Sequence, residues 1–149
     1  MFAGEYCNRD VVIAVPSDSL RSAIQLMRNH HVGDVLVVET VAGNNTPVGI
    51  LTDRDIVIEV LAQNVDIDSV SVGDVMSDQL VTVTDDTGLE ATLDMMSAHG
   101  IRRLPVIDRA GSLQGIISID EFLELLAEQV QKLAILVKTE QRHERRLRS

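Results

Sequence analysis

The sequence predicts an α+β fold that contains two copies of a β-α-β-β-α unit, and three observations support this prediction. The stretch Gly-Ile-Leu-Thr-Asp-Arg-Asp at residues 49–55 has a counterpart, Gly-Ile-Ile-Ser-Ile-Asp-Glu, at residues 115–121. Short runs of Val, Ile and Leu alternate with longer segments in which apolar residues recur every three or four positions, as strands alternate with helices. The 149 residues suit one compact domain or two tightly joined halves.

The duplication covers most of the chain, and its largest irregularity is the loop before the glycine, residues 40–47 against 109–114. The matched segments of the first and second halves are 14–20 with 82–89, 23–27 with 92–96, 30–32 with 99–101, and 35–39 with 104–108. A duplication of this extent indicates that both halves have the same local structure. Because a unit of roughly 60 residues buries only a modest fraction of its surface, we expect the halves to share a core.

In the first half, a lead-in is followed by a strand, a helix, two strands and a second helix. The helix is expected to begin at Ser17 or Asp18, which suit an N-cap, and to end near His31, with Gly33 as the breaker. Its expected buried face is Leu20, Ala23, Ile24 and Met27. The strands are predicted at 11–15, 35–39 and 48–51, the turn at 43–45 and the second helix at 56–62.

The second half repeats this order after a linker at residues 64–72. Strands are predicted at 80–83, 104–107 and 115–117, a helix at 87–98, and a long helix from about Ile119. The resulting division is a first repeat at 7–66, a second repeat at 67–131, and a helical extension with a basic tail at 132–149.

Composition excludes several classes of function. The formal charge of −10 and the presence of only three aromatic residues argue against general nucleic-acid binding. No apolar run has the length needed to cross a bilayer, and no leader opens the chain, so we expect no contact with a membrane. The single cysteine, Cys7, cannot form an internal disulfide, which predicts a reducing, cytoplasmic location.

The charge is unevenly distributed along the chain. From Lys132 onward there are six Lys or Arg residues and two Glu residues, a net of +4, so the remainder carries −14. This basic tail could contact an acidic partner or a neighbouring subunit. Alternatively, it is a solvated helix end whose cations favour the negative end of the helix dipole.

Thr52 and Asp55 have two interpretations. They lie where a predicted strand meets a helix N-terminus, so Thr52 could cap the helix while Asp55 bonds back to the backbone of Thr52. A hydroxyl and a carboxylate at this spacing could equally hold a small diol such as a ribose. Ser118 and Glu121 occupy the corresponding positions in the second half.

Together these motifs resemble a pair of cystathionine-β-synthase (CBS) domains of the stand-alone bacterial kind, from Cys7 to about Gln131. The resemblance depends on the order, spacing and duplication of four segments: Gly-Ile-Leu-Thr-Asp-Arg-Asp-Ile (49–56), Val-Gly-Asp-Val-Met (72–76), Arg-Arg-Leu-Pro-Val-Ile-Asp (102–108) and Gly-Ile-Ile-Ser (115–118). It implies two repeats packed about a pseudo-twofold axis, with clefts that commonly bind AMP, ADP or ATP, sometimes S-adenosylmethionine or NAD. It also implies a homodimer.

The resemblance assigns roles to residues of both clefts. Thr52 and Asp55 match the residues that bind ribose, and Ser118 with Glu121 would do so in the second cleft, although Glu replaces the usual Asp. Arg102 and Arg103 match positions that bind phosphate, a role that suits guanidinium geometry. The corresponding first-half residues, Gly33 and Asp34, offer no cation. The adenine slots would be lined by Val12, Ala14, Leu36, Thr82, Val83 and Leu104.

Nothing in the sequence indicates an enzyme. Neither a Walker loop nor a Gly-x-Gly-x-x-Gly motif is present, no Cys/His cluster has zinc spacing, and no nucleophile is paired with a base. His30 and His99 lie at equivalent helix ends, where histidine usually interacts with terminal carbonyls. We therefore expect no catalytic residues, no required cofactor and no resident metal, although Mg²⁺ could accompany the phosphates of a nucleotide.

Two functions remain open at this stage. The first is a regulatory module that binds an adenosine nucleotide between its repeats and signals to a separate, unidentified effector protein. The second is a dimeric scaffold whose clefts stay empty and whose long C-terminal helix makes the contacts. In that helix Leu126, Val130, Leu133 and Val137 recur at helical spacing, facing either a second subunit or the chain's own body.

Overall fold

Each half of the chain forms a three-stranded sheet with helices around it. The structure is a computed structural model that describes residues 1–148. Its helices are α1 (Ala3–Tyr6), α2 (Leu20–His30), α3 (Asp53–Asp55), α4 (Val72–Val75), α5 (Leu89–His99) and α6 (Ile119–Arg148). Its strands are β1 (Ile13–Ala14), β2 (Asp34–Val41), β3 (Asn44–Thr52), β4 (Val83–Thr84), β5 (Arg103–Ile107) and β6 (Leu113–Ser118).

The two sheets have the same strand order, β1-β2-β3 and β4-β5-β6. In the first, β1 is parallel to β2 with Ile13 opposite Leu36, and β2 is antiparallel to β3. In the second, β4 is parallel to β5 with Val83 opposite Val106. The predicted α+β class and the tandem β-α-β-β-α order are therefore confirmed. The chain divides into two compact units, Met1–Ile117 and the segment from Ser118 onward.

The first strand of each half is shorter than predicted. β1 keeps Ile13 and Ala14 of the predicted residues 11–15, whereas β4 keeps only Val83 of the predicted residues 80–83 and extends one residue further, to Thr84. The preceding backbone instead forms local turns, in which the N–H of Val11 donates to the carbonyl of Arg9 and the N–H of Leu80 to that of Asp78. Apolar residues follow these turns directly, before the paired residues begin, so hydropathy alone overestimated the strands.

The hairpin between β2 and β3 turns one residue earlier than predicted. Ala42 and Gly43 form the turn with φ of +52° and +83°, and Asn44 already pairs with Val41. Two consecutive residues with positive φ make the turn whose twist matches that of a hairpin. The predicted turn at 43–45 was therefore wrong in position, because the sequence does not reveal that Ala42 adopts the left-handed conformation.

Helix α2 is capped by Ser19 rather than by Ser17 or Asp18. The hydroxyl oxygen of Ser19 accepts a hydrogen bond from the N–H of Ser22 (3.1 Å), whereas Asp18 accepts one from the N–H of Val15 (3.0 Å). Three residues of the predicted buried face, Leu20, Ala23 and Met27, are buried, and Ile24 is half-buried. The face was predicted correctly because apolar spacing determines it, whereas three consecutive polar residues could each have served as cap.

Helices α2 and α5 end in the same way with different residues. His31 has φ of +52° and Gly100, at the equivalent position, has φ of +63°. The helix thus ends at His31, before the predicted breaker Gly33. The left-handed conformation disfavours residues with a Cβ by roughly 1–2 kcal/mol.

We therefore expect His31→Gly to raise the free energy of unfolding by about 1 kcal/mol, since the strain relieved exceeds the added entropy of an unfolded glycine. Gly100→Ala should lower it by a similar amount, because its Cβ would meet no heavy atom within 4 Å and only the backbone effect remains. Chemical denaturation of both variants measures the two changes. Changes of the same sign would contradict this explanation.

The short lead-in of each half packs against the other half. In the N-terminal lead-in, the N–H groups of Ala3 and Gly4 donate to Thr87 and Asp85 of the second repeat. Asn8 then exchanges two backbone hydrogen bonds with Ile116 (2.7 and 2.9 Å).

The lead-in of the second half makes the equivalent contacts with the first. The N–H groups of Val72 and Gly73 donate to Asp18 and Pro16 (both 2.9 Å), and Ser77 exchanges two hydrogen bonds with Ile50. Val72 is fully buried in the hydrophobic cluster formed by the first repeat. The expectation of a shared core is therefore confirmed for this cluster.

Candidate ligand site at the end of strand β3

Thr52 and Asp55 form the capping box that their spacing allowed. Thr52 ends β3 in an extended conformation and is the N-cap of α3. The N–H of Asp55 donates to Oγ1 of Thr52 (3.1 Å), and the N–H of Thr52 donates to Oδ2 of Asp55 (3.0 Å). Each side chain thus satisfies a backbone donor that the helix leaves without a partner.

Capping leaves both side chains with unused hydrogen-bonding capacity. Within residues 1–148, Oδ1 of Asp55 accepts no hydrogen bond, and the hydroxyl proton of Thr52 has no acceptor. Both residues are half-buried. A carboxylate oxygen and a hydroxyl proton therefore remain available together, so the cap and a diol-binding role are compatible.

The helix after this box departs from the predicted α-helix. Residues Ile56–Leu61 form a π-helical segment, and the N–H of Ala62 donates to Val57, five residues back. The π-helical turn is rare and occurs frequently at functional sites. Its position directly after Asp55 adds weight to this end of the sheet as the site.

An ion pair links this end of the first sheet to the second repeat. Thr52 lies opposite Asp34 across the β2–β3 ladder. Oδ2 of Asp34 accepts a hydrogen bond from Nη1 of Arg103 at 2.6 Å, and the two side chains are 19% and 45% exposed. Asp34 and Arg103 are the equivalent positions of the two repeats, so the pair joins one repeat to the other through opposite charges.

Asp34 was not predicted as a site residue. Its only sequence signal was an acidic residue in the first repeat where the second repeat has arginine. The ion pair brings Arg103 to the end of the sheet that carries Thr52. Arg102 is exposed and makes no hydrogen bond or ion pair within the described chain.

A cavity of about 470 Å³ adjoins Asp55. Its lining residues are Asp55, Glu59, Val60, Val65, Val70, Asp74, Val75 and Ser77. The volume is within the range of small-molecule sites, and the lining combines apolar side chains with three carboxylates. Those carboxylates repel a phosphate, so this cavity suits a neutral or cationic part of a ligand.

The structure buries most of the residues predicted to line the adenine slots. Four of them, Ala14, Leu36, Val83 and Leu104, are at most 4% exposed. Their side chains belong to the core, so a base could reach these four residues only through their backbone in this conformation. Their assignment to the adenine slots stays a prediction. Val12 and Thr82 are half-buried and accessible.

Ser118 and Glu121 form a tighter arrangement than Thr52 and Asp55. Oε2 of Glu121 accepts hydrogen bonds from both the N–H (2.6 Å) and the hydroxyl of Ser118. The N–H of Asp120 also donates to the hydroxyl oxygen (3.2 Å). The longer glutamate side chain thus folds back on the serine and uses the hydroxyl proton that Thr52 keeps free.

In residues 1–148, no three His, Cys, Asp or Glu side chains are grouped so that they could hold a metal ion. No helix in the same part of the chain has both the length and the hydropathy for crossing a bilayer. His99, at the end of α5, contacts the carbonyl of Met95 through Nδ1 (3.0 Å), as expected for a histidine at a helix end.

Comparison with known proteins identifies the family. The family model of the CBS domain matches residues 3–62 and 72–128. The CBS domain-containing protein YhcV of Bacillus subtilis is 36% identical over 111 residues, which cover 74% of this chain and 75% of YhcV. The uncharacterized protein MK0525 of Methanopyrus kandleri is 35% identical over 122 residues, covering 82% of this chain and 61% of that protein.

A solved structure has the same fold. The CBS domain pair of protein MJ0100, in complex with 5′-methylthioadenosine and S-adenosyl-L-methionine, superimposes with a TM-score of 0.71 at 21% identity, covering 87% of this chain and 98% of that one. The relatives come from an archaeon and a bacterium, so they do not support the bacterial origin that the resemblance suggested. The family match covers both repeats, and the chain belongs to the CBS-domain family as a tandem CBS domain pair.

Proposed function

We propose that this CBS domain pair binds the adenosine moiety of a nucleotide at the end of β3 and signals the binding to a separate effector protein. The observation that carries the proposal is the Thr52–Asp55 box, which keeps a free carboxylate oxygen and a free hydroxyl proton. An ionised carboxylate accepts hydrogen bonds from ribose hydroxyls, and charge strengthens those bonds. The MJ0100 pair, which has the same fold, was solved with two adenosine-containing ligands.

The proposed ligand class is AMP, ADP or ATP, with phosphate bound by Arg102 and Arg103. Arg102 is exposed and available for this role. Arg103 is held by Asp34, so a phosphate must share or displace that carboxylate. Val12 and Thr82 remain as proposed side-chain contacts of the base. Mg²⁺ would bind to the phosphates rather than to a site of the protein.

The same ion pair suggests how binding becomes a signal. A ligand changes a protein's conformation only if it binds one arrangement more tightly than another. The Asp34–Arg103 pair joins the repeats, and a phosphate that recruits Arg103 weakens this link. Phosphate-bearing ligands would then favour a different arrangement of the repeats from that favoured by uncharged adenosine.

The alternative to the regulatory function is a dimeric scaffold. A scaffold with empty clefts is favoured by the closed Ser118–Glu121 pair and by the apolar residues exposed on α6. A homodimer, a cytoplasmic location and the absence of catalysis are part of the regulatory proposal.

Calorimetric titration with adenosine, AMP, ATP, S-adenosylmethionine and NAD tests the regulatory proposal. Saturable binding of one of them supports the sensor, and binding of none favours the scaffold.

Removing the two arginines tests the phosphate assignment. We expect Arg102→Ala combined with Arg103→Ala to weaken AMP and ATP binding at least about tenfold, the equivalent of about 1.4 kcal/mol, and to spare adenosine. The reason is that only the phosphate-bearing ligands need the guanidinium groups. Equal losses for all three ligands in titration would contradict the assignment.

Asp34→Asn should have the opposite effect on phosphate binding. Neutralising Asp34 releases Arg103, so AMP affinity should rise relative to adenosine affinity. Glu39→Gln, at an exposed position of the same strand β2, removes the same charge without touching an arginine and serves as the matched control. If relative AMP affinity rises equally in both variants, the rise comes from the lower negative charge of the protein and not from the release of Arg103.

A further inference from the structure

Helix α6 presents an unusually apolar surface. It spans the 30 residues Ile119–Arg148, about 45 Å at 1.5 Å per residue, and none of its residues is buried. Eight large apolar side chains on it are more than half exposed: Leu123, Leu126, Val130, Leu133, Ile135, Leu136, Val137 and Leu147. Single exposed apolar residues are ordinary, but a contiguous group marks an interaction surface.

Most of these residues follow a heptad repeat. Apolar residues alternate at spacings of four and three through 119, 123, 126, 130, 133 and 137. In heptad notation Leu123, Val130 and Val137 occupy position a, and Ile119, Leu126 and Leu133 occupy position d. Among parallel coiled coils, valine at a with leucine at d favours two strands, and two of the three a residues and two of the three d residues are of these types.

The charges of the helix indicate which partner fits this seam. Between residues 122 and 139 the charged residues are Glu124, Glu128, Lys132 and Lys138, at positions b, f, c and b, which point away from the seam. Flanking positions e and g carry only uncharged residues there: Phe122, Ala127, Gln129, Ala134 and Leu136. The one charged e position of the seam, Asp120, lies in the first turn of α6, before any g position of the helix. Charges at e and g normally select a partner of opposite sign. Neutral flanks carry no such selection, so the apolar seam alone determines the partner, and an identical helix presents the same a and d layers in the same register.

We propose that α6 pairs in parallel with α6 of a second copy of this chain, along a seam from Ile119 to Val137. The seam is about 28 Å long and has six apolar layers. It ends at Glu140 and Glu144, which take the next d and a positions and would face their own copies. The seam uses none of the residues proposed to bind the ligand, and it specifies the surface and orientation of the dimer.

Disulfide trapping tests the contact and its orientation. In Leu126→Cys, parallel pairing places the two introduced sulfurs opposite each other, so mild oxidation should form a 126–126 disulfide that peptide mass analysis distinguishes from products of Cys7. Ile135→Cys is the matched control, because Ile135 is similarly exposed (57% against 61%) and lies at position f. Equal trapping at both positions, or none at 126, would overturn the proposal. Trapping only in a mixture of Leu126→Cys with Val130→Cys would indicate antiparallel helices and overturn the orientation.

Light scattering provides a second test that needs no oxidation. Leu133→Glu puts a charge at the centre of the seam and should halve the mass of the assembly or raise the dissociation constant at least tenfold. Ile135→Glu adds the same charge on the opposite face and should leave the mass unchanged. If neither substitution changes the mass and the trapping is negative, α6 does not associate with itself.

Discussion

Asp55→Ala is expected to weaken adenosine binding by about tenfold to a hundredfold while lowering the free energy of unfolding by only about 1 kcal/mol. The first effect follows from the loss of an acceptor that is charged, since hydrogen bonds to charged groups contribute about 1.5–3 kcal/mol. The second follows from the loss of the bond between Oδ2 and the N–H of Thr52, since a helix cap contributes roughly 0.5–2 kcal/mol. Calorimetry measures the affinity and thermal melting the stability.

The structure provides two controls for this experiment. Glu5 accepts a hydrogen bond from the N–H of Phe2 at the start of α1, the same bond that Asp55 makes to the N–H of Thr52, so Glu5→Ala removes such a bond without touching the proposed ribose site. Asp55→Asn retains an oxygen for the cap but removes the charge. If Asp55→Ala lowers the melting temperature and leaves adenosine affinity unchanged, the residue is only a cap and the ligand-binding role is wrong.

Gly115→Ala is expected to produce the largest loss of stability, about 3 kcal/mol, at the upper end of overpacking effects. A Cβ at this position would lie 2.5 Å from the carbonyl oxygen of Asn8 and 2.8 Å from Sγ of Cys7. The lead-in would have to move away, which breaks the backbone hydrogen bonds between Asn8 and Ile116. For a chain of this size the melting temperature should fall by roughly 6–12 °C.

Two other glycines show whether close approach is the cause. Gly49 occupies the equivalent place, and its Cβ would lie 2.7 Å from both the Met76 sulfur and the Ser77 carbonyl oxygen. Gly49→Ala should therefore also destabilise, less so because the methionine side chain can partly move. Gly88→Ser adds atoms where no neighbour lies within 4 Å and supplies an N-cap for α5, so it should cause no loss. A Gly115→Ala variant as stable as the wild type would refute the explanation.

The sequence predicted those features of the fold that depend on local periodicity. Apolar spacing predicted the buried face of α2 and the order of the elements. The duplication supported this prediction, because the same order recurs in the second half. The ends of elements were less accurate, because Ala42 adopts a left-handed conformation that its residue type does not indicate. The end of α2 near His31 was predicted correctly, although its left-handed conformation was not. The short pairing of β1 was missed because strand length depends on the neighbour as well as on hydropathy.

The residues of the candidate site were predictable only in part. Spacing alone placed Thr52 and Asp55 at a helix N-terminus, and the structure shows that their cap leaves further capacity. The partner of Arg103 could not be predicted, because Asp34 is 69 residues away and only the tertiary fold brings them together. The burial of strand residues such as Leu36 and Leu104 could not be predicted, because an apolar strand has the same sequence pattern at a cleft wall and in a core.

The two repeats exchange their lead-ins, so each repeat depends on the other for part of its backbone hydrogen bonding. A single repeat would lack the segment that covers its sheet and could obtain it only from another molecule, so its completeness would depend on concentration. Joining two repeats through residues 62–71 makes the exchange intramolecular, with an effective concentration fixed by the linker. Each repeat therefore remains complete at any dilution, and the whole pair behaves as a fused, domain-swapped dimer.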